Sequence, residues 1–258
     1  MLSEGVANLT RKKNIIDYVG IISISIVIIS FLSKIITSFL VTRQLPTGGY
    51  PELLINYVDG KLIHTIDSVM VLVSAVFIIP ATIGVFAVFY SKIKQEVRNW
   101  LFLPTITSIV SSLIIIGLII PKLLIIFNIA PDYYVAVEPL KSLLLSKYES
   151  WISYINIFQV IAYLLLFTIG TGGYGFLSFK YQLARETSTW LAIFTAVLGL
   201  GEIGVFIPGN FGTVIIFMAS IASILYFFWL GSIIFVIRQK MVVESKFEAP
   251  EELLADTF

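Results

Sequence analysis

Five ionisable side chains lie inside or at the rim of long apolar runs in this sequence, toward the ends expected to face outside: Lys34, His64, Asp67, Lys122 and Glu202. A charged group surrounded by hydrocarbon is costly, so such residues normally meet a partner or a water-filled cavity. Lys34 lies seven residues before Val41, at the end of its run, and Glu202 lies six residues before Pro208. At ~1.5 Å per helical residue the two sit roughly 10 and 9 Å below the same boundary. Each also belongs to a polar stripe at helical spacing. One stripe is Ser23, Ser30, Lys34 and Thr37 or Ser38, and the other is Ser188, Thr195, Gly199 and Glu202. The sharpest expectation is therefore a pair between Lys34 and Glu202, formed directly or across a wet cavity. Two plainer readings stand beside it. Lys34 can snorkel to the headgroups along its own stem, as Lys122 is expected to do near the end of its run. A pair, if formed, can also serve only to hold two helices in register.

His64 and Asp67 are three residues apart and share one helix face. One histidine and one acid make a poor metal site. The expected reading is a solvated helix start, with Asp67 in the first turn of its span, where a carboxylate suits the helix N-terminus.

Two stretches spell G-x-G-x-x-G: Gly170 to Gly175 and Gly199 to Gly204. The dinucleotide fingerprint needs a strand before it and a βαβ unit around it. Both stretches fall within apolar runs, where small residues instead let helices approach closely. The first leaves an alternative open. Gly170, Gly172, Gly173 and Gly175 could break their helix, and broken helices line substrate sites in transporters.

Redox and hydrolytic chemistry find few of the groups they need. There is a single histidine and no cysteine, so a bis-histidine haem within the chain, an iron–sulfur cluster and haem c are excluded. No H-E-x-x-H pattern is present. No catalytic residue, cofactor or metal is expected.

The elements that position these groups are long. The chain is 258 residues, 58% hydrophobic and 13% charged, against roughly a quarter charged in soluble domains. Its apolar residues come in blocks of about 20 or more, enough to cross ~30 Å of hydrocarbon. The expected fold is all-α: a polytopic integral membrane bundle of six transmembrane helices. The spans are placed at about 15–41, 66–91, 102–128, 151–179, 187–207 and 211–237. A tail at 1–14 precedes this 15–238 transmembrane domain, and a charged tail at 239–258 follows it, its last part, EAPEELLADTF, acidic and expected to be mobile. Loops at 42–65 and 129–150 carry a short interfacial helix over Glu52 to Tyr57 and an amphipathic surface helix over LKSLLLSKYESW. Pro80 is expected to kink the second span.

Basic residues set the orientation. With the N-terminus inside, the inner segments hold eleven Lys and Arg and the outer segments four, Lys34 and Lys122 being within spans. That asymmetry places both termini in the cytoplasm, with the two long loops outside the cell membrane. The expected function is a non-catalytic multi-pass membrane protein, a structural or accessory subunit of a membrane complex. The competing expectation is a small-solute or ion transporter or channel working through Lys34 and Glu202. Expected partners are the lipid bilayer and other membrane subunits or further copies of the chain, and no nucleic acid.

Overall fold

The computed structural model describes residues 15–33, 36 and 49–255, with side chains as far as Val242. The described residues are helical, without strands, and six helical stretches are long and apolar enough to cross a membrane. The first is α1, Ile15–Ser33. A short α2, Tyr50–Asp59, leads into α3, Lys61–Lys92. A 3-10 stretch, Gln95–Leu101, turns the chain into α4, Phe102–Leu124. A π turn, Ile125–Ile129, carries it on to α5, Ala130–Val135. Next come α6, Leu140–Tyr163, a π segment, Leu164–Thr171, and α7, Gly172–Tyr181. The last pair is α8, Glu186–Gly199, ending in a 3-10 stretch, Leu200–Phe206, and α9, Gly209–Ala255.

Several boundaries differ from the sequence reading, for physical reasons. The α3 helix begins at Lys61, so Asp67 lies in its second turn and not its first. The stretch LKSLLLSKYESW is not a separate surface helix. It forms the opening turns of α6, with Tyr148 buried. The charged segment after the sixth span continues as helix to Ala255. Pro80 and Pro121 sit within α3 and α4, each removing one backbone donor that the helix would otherwise use.

The helices meet closely where side chains are small. In α1 the buried positions are Asp17, Gly20, Ser23, Ile24, Val27 and Ser30, one stripe at helical period. At Gly20 this stripe crosses α3 almost backbone to backbone, and a Cβ added at Gly84 would lie 2.7 Å from Gly20 Cα. Around that crossing a core gathers Val88, Phe89, Tyr174, Trp229 and Ile233. A second core, toward the Lys61 end of α3, packs Leu54 of α2 against Leu118, Ile125, Tyr133, Tyr148 and Ile155. The α8–α9 connection is tight. Gly209 takes a positive φ of 80°, which a side chain would resist. In the 3-10 stretch Gly201 abuts Ile215 O and Ala219 N of α9. Large side chains on the outer surface are apolar and exposed, among them Phe211, Phe217, Phe228 and Phe235 along α9.

Candidate functional site

Three places in the bundle gather polar groups. The first is a corner where α2 lies against α3 and α6. His64 Nε2 is 3.4 Å from Asn56 Oδ1, and the imidazole tilts against the Tyr57 ring with centroids 4.4 Å apart. Tyr57 shares a hydrogen bond with Tyr148, and the Asp67 carboxylate acts on both Tyr57 and His64. Burial pushes the Tyr57 phenol above its usual range, and the negative charge of Asp67 adds to that shift. His64 and Asp67 are thus brought together, as their spacing implies. Their surroundings are tyrosine and asparagine. Among the described residues no three His, Asp or Glu side chains converge as metal ligands would. The arrangement fastens α2 to the start of α3.

The second place is a partly open cavity of about 40 Å³ between α1, α3, α4, α6 and α9. Five hydroxyl-bearing residues line it: Ser30 of α1, Ser74 of α3, Tyr163 at the end of α6, and Ser223 and Tyr226 of α9. Leu166 and Phe167 of the π segment complete one wall. On another wall Phe31 and Phe227 stack with their centroids 3.4 Å apart. Among the described residues that line it, none carries a charge. Ser30 belongs to the polar stripe read from the sequence; Ser23 and Ser30 of that stripe are buried, and Lys34, Thr37 and Ser38 lie outside the described residues. Nothing in the sequence pointed to Ser74, Tyr163 or Tyr226.

The third place is an ion pair. Lys240 Nζ donates to both carboxylate oxygens of Asp17, at 2.8 and 3.0 Å. Asp17 is 1% exposed and Lys240 13%. Nearby, Lys92 Nζ donates to Leu183 O at 3.2 Å. The pair joins the start of α1 to the end of the apolar part of α9. In the structure Asp17 continues the buried stripe of Ser23 and Ser30 at helical period.

The remaining predicted residues fall as follows. Lys34 lies outside the described residues. Glu202 sits half-buried in the 3-10 stretch after α8, and it is engaged with a neighbour. The rest of its stripe faces inward: Ser188, Thr195 and Gly199 are buried, and Ser232 of α9 donates to Ser188 Oγ at 2.7 Å. Lys122 does not stand alone at a helix end. It donates to Gln159 Oε1 of α6 at 3.4 Å. The glycines from Gly170 to Gly175 do not unwind their helix. The helix widens into the π segment and resumes as α7 at Gly172. Each glycine marks a close approach: Gly170 to Ser108, Gly172 to Ala196, Gly173 to Pro104 and Gly175 to Ala192. Hydroxyls bridge the same interfaces. Tyr174 and Thr105 are 2.7 Å apart, Ser111 donates to Ala162 O at 2.7 Å, and Thr168 donates to Ala196 O at 3.2 Å.

The chain matches no protein-family model, no curated protein and no solved structure. The class defined by its fold is therefore the whole of its placement: a protein whose described residues are helical, with six helices among them suited to span a membrane.

Proposed function

We propose that this chain is a multi-pass protein of the cell membrane, with both termini on the cytoplasmic side, acting as a structural or accessory subunit of a membrane complex. The observation that carries the reading is where the interior polar groups go. Asp17 bonds Lys240, Tyr174 bonds Thr105, Ser111 bonds Ala162 O and Ser232 bonds Ser188, each joining one helix to another. Hydrogen bonds of this kind, with small residues at the crossings, are how helices associate in lipid. Such a bundle is a scaffold. Its partners are the bilayer and either other membrane subunits or further copies of itself. The eleven-to-four distribution of Lys and Arg supports the orientation. Exposed phenylalanines along α9 suit contact with lipid or with a neighbouring subunit.

One observation favours transport of a small solute instead. The cavity is lined by hydroxyl-bearing residues from α1, α3, α6 and α9 and bordered by a π segment, and π-bulges recur at functional sites.

Purification from native membranes in mild detergent, followed by mass spectrometry, separates the two readings. Defined partner chains in fixed ratio support the subunit. A lone monomer contradicts it and directs the work to transport assays in liposomes, with Glu202→Gln as the control.

A further inference from the structure

The turn that joins α7 to α8 is fastened to the rest of the bundle. Gln182 ends α7 in the left-handed conformation, at φ 53° and ψ 42°, and Arg185 opens α8 in the extended one. Between them Leu183 is 3% exposed, and its carbonyl accepts from Lys92 Nζ of α3 at 3.2 Å. An open hollow of about 490 Å³ lies against this turn, within the ~300–1,000 Å³ of small-ligand sites. Four polar residues line it, Ser178, Gln182, Glu186 and Thr189, beside the rings of Phe179 and Trp190. Of the described residues that line it, Glu186 alone is charged. Thr189 donates its hydroxyl hydrogen to Arg185 O at 3.2 Å, which leaves its oxygen lone pairs as acceptors. Ser178 is 3% exposed and bonds no described residue. Among the described residues the enclosed polar side-chain atom without a partner is Arg98 Nε. The Ser178 hydroxyl is therefore not sealed, and it opens on the hollow that it lines. One carboxylate among acceptors calls for a cation with several N–H donors. A primary ammonium carries three, and the face of Trp190 attracts it further.

A second open hollow, of about 600 Å³, shares Glu186 and Trp190 with the first and continues along α8 past Leu191 to Phe194. Its wall is mostly apolar. Phe194 lies eight residues beyond Glu186, roughly 12 Å along the helix. Phe179, Trp190 and Phe194 form a run of exposed rings, with successive centroids 6.0 and 5.8 Å apart. Polarity therefore changes along the surface. Hydrogen-bonding groups and a carboxylate stand at the end of the bundle, and apolar side chains follow along the helix shaft. Trp190 sits where the two meet, and tryptophan favours the membrane–water interface. A ligand that fits both hollows has an amine at one end and an apolar tail at the other. A soluble amine would leave the second hollow unused. Lys180 and Arg185, exposed on either side of the turn, bring positive charge that suits a phosphate between amine and tail.

We propose that the α7–α8 turn and the exposed face of α8 seat one phospholipid with a primary-amine headgroup, its ammonium on Glu186 and Trp190 and an acyl chain along Leu191 and Phe194. The proposal rests on the membrane-spanning reading, which recovery of the chain in the membrane fraction tests separately, and not on the subunit role.

Native mass spectrometry of the full chain in mild detergent, with equimolar phosphatidylethanolamine and phosphatidylglycerol of the same acyl chains, provides the test. The expected result is one ethanolamine lipid retained per chain, with a preference of about fivefold over the glycerol lipid, the factor an exposed ion pair can supply. Glu186→Gln is expected to remove the preference, and Glu186→Lys to transfer it to phosphatidylglycerol. Glu96→Gln, in the exposed 3-10 stretch before α4, should leave it in place. Equal retention of the two lipids by the unmodified chain overturns the proposal, as does a preference that both Glu186 variants keep. Displacement of the lipid by equimolar free phosphoethanolamine would assign the site to a soluble amine and overturn it too. Because the unmodified chain decides two of these outcomes alone, the test holds even if a variant folds poorly.

Discussion

Asp17 and Lys240 are 223 residues apart in sequence and meet in a two-point contact of 2.8 and 3.0 Å. The contact ties the first long helix to the last. A buried pair of this kind contributes little net stability compared with apolar residues of the same size, yet removing one partner strands the other charge. Asp17→Ala or Lys240→Ala is therefore expected to cost about 3–5 kcal/mol. The double variant Asp17→Leu and Lys240→Met should recover most of that loss. Unfolding of the detergent-solubilised protein measures all three. Losses that simply add in the double variant would show that the two residues act independently.

Glycines at helix crossings should be sensitive, and a glycine away from them should not. A methyl at Gly84 would lie 2.7 Å from Gly20 Cα, and one at Gly201 would press on the backbone of Ile215 and Ala219. Neither obstacle is the end of a flexible side chain. Gly84→Ala and Gly201→Ala are each expected to destabilise by about 1–3 kcal/mol, as overpacking does. Gly117 has nothing within 4 Å. Gly117→Ala is expected to be neutral or stabilising by up to about 1 kcal/mol, since glycine is a poor helix former. Equal effects at all three positions would contradict the packing account.

The expected pair of Lys34 with Glu202 is tested by a cycle of variants. Glu202→Leu should lower stability in detergent, and adding Lys34→Leu should restore part of it, with a coupling of about 0.5–3 kcal/mol. Zero coupling removes the pair. It would leave Glu202 held by other neighbours, since it is half-buried and engaged in any case.

Much of the architecture was legible because apolar length is a strong signal. The six blocks of apolar residues correspond to six long helices, and the inward stripes through Ser23 and Ser30 and through Ser188 and Thr195 follow from period alone. Helix ends were harder to read. Lys61 to Thr65 are polar enough to look like loop, yet they belong to α3, because Gly60 and not the apolar boundary starts the helix. The π segment was invisible, since Leu164 to Thr171 contains nothing that a regular helix would refuse. The glycines of Gly170–Gly175 were readable as close-packing residues, but their partners Ser108, Ala196, Pro104 and Ala192 come from other helices. Asp17 was passed over for the same reason: its partner is at the far end of the chain, and no local pattern announces a contact across 223 residues.

Membrane topology is the claim on which the rest depends, and the absence of cysteine makes it accessible. Single cysteines can be placed at Val137, Asn210, Asn99 and Gln182, all exposed positions, and treated with a membrane-impermeant maleimide on intact cells. The account predicts labelling at Val137→Cys and Asn210→Cys without permeabilisation, and at Asn99→Cys and Gln182→Cys only after it. The reverse pattern would invert the orientation. Equal labelling of all four in intact cells would contradict a membrane-spanning bundle altogether.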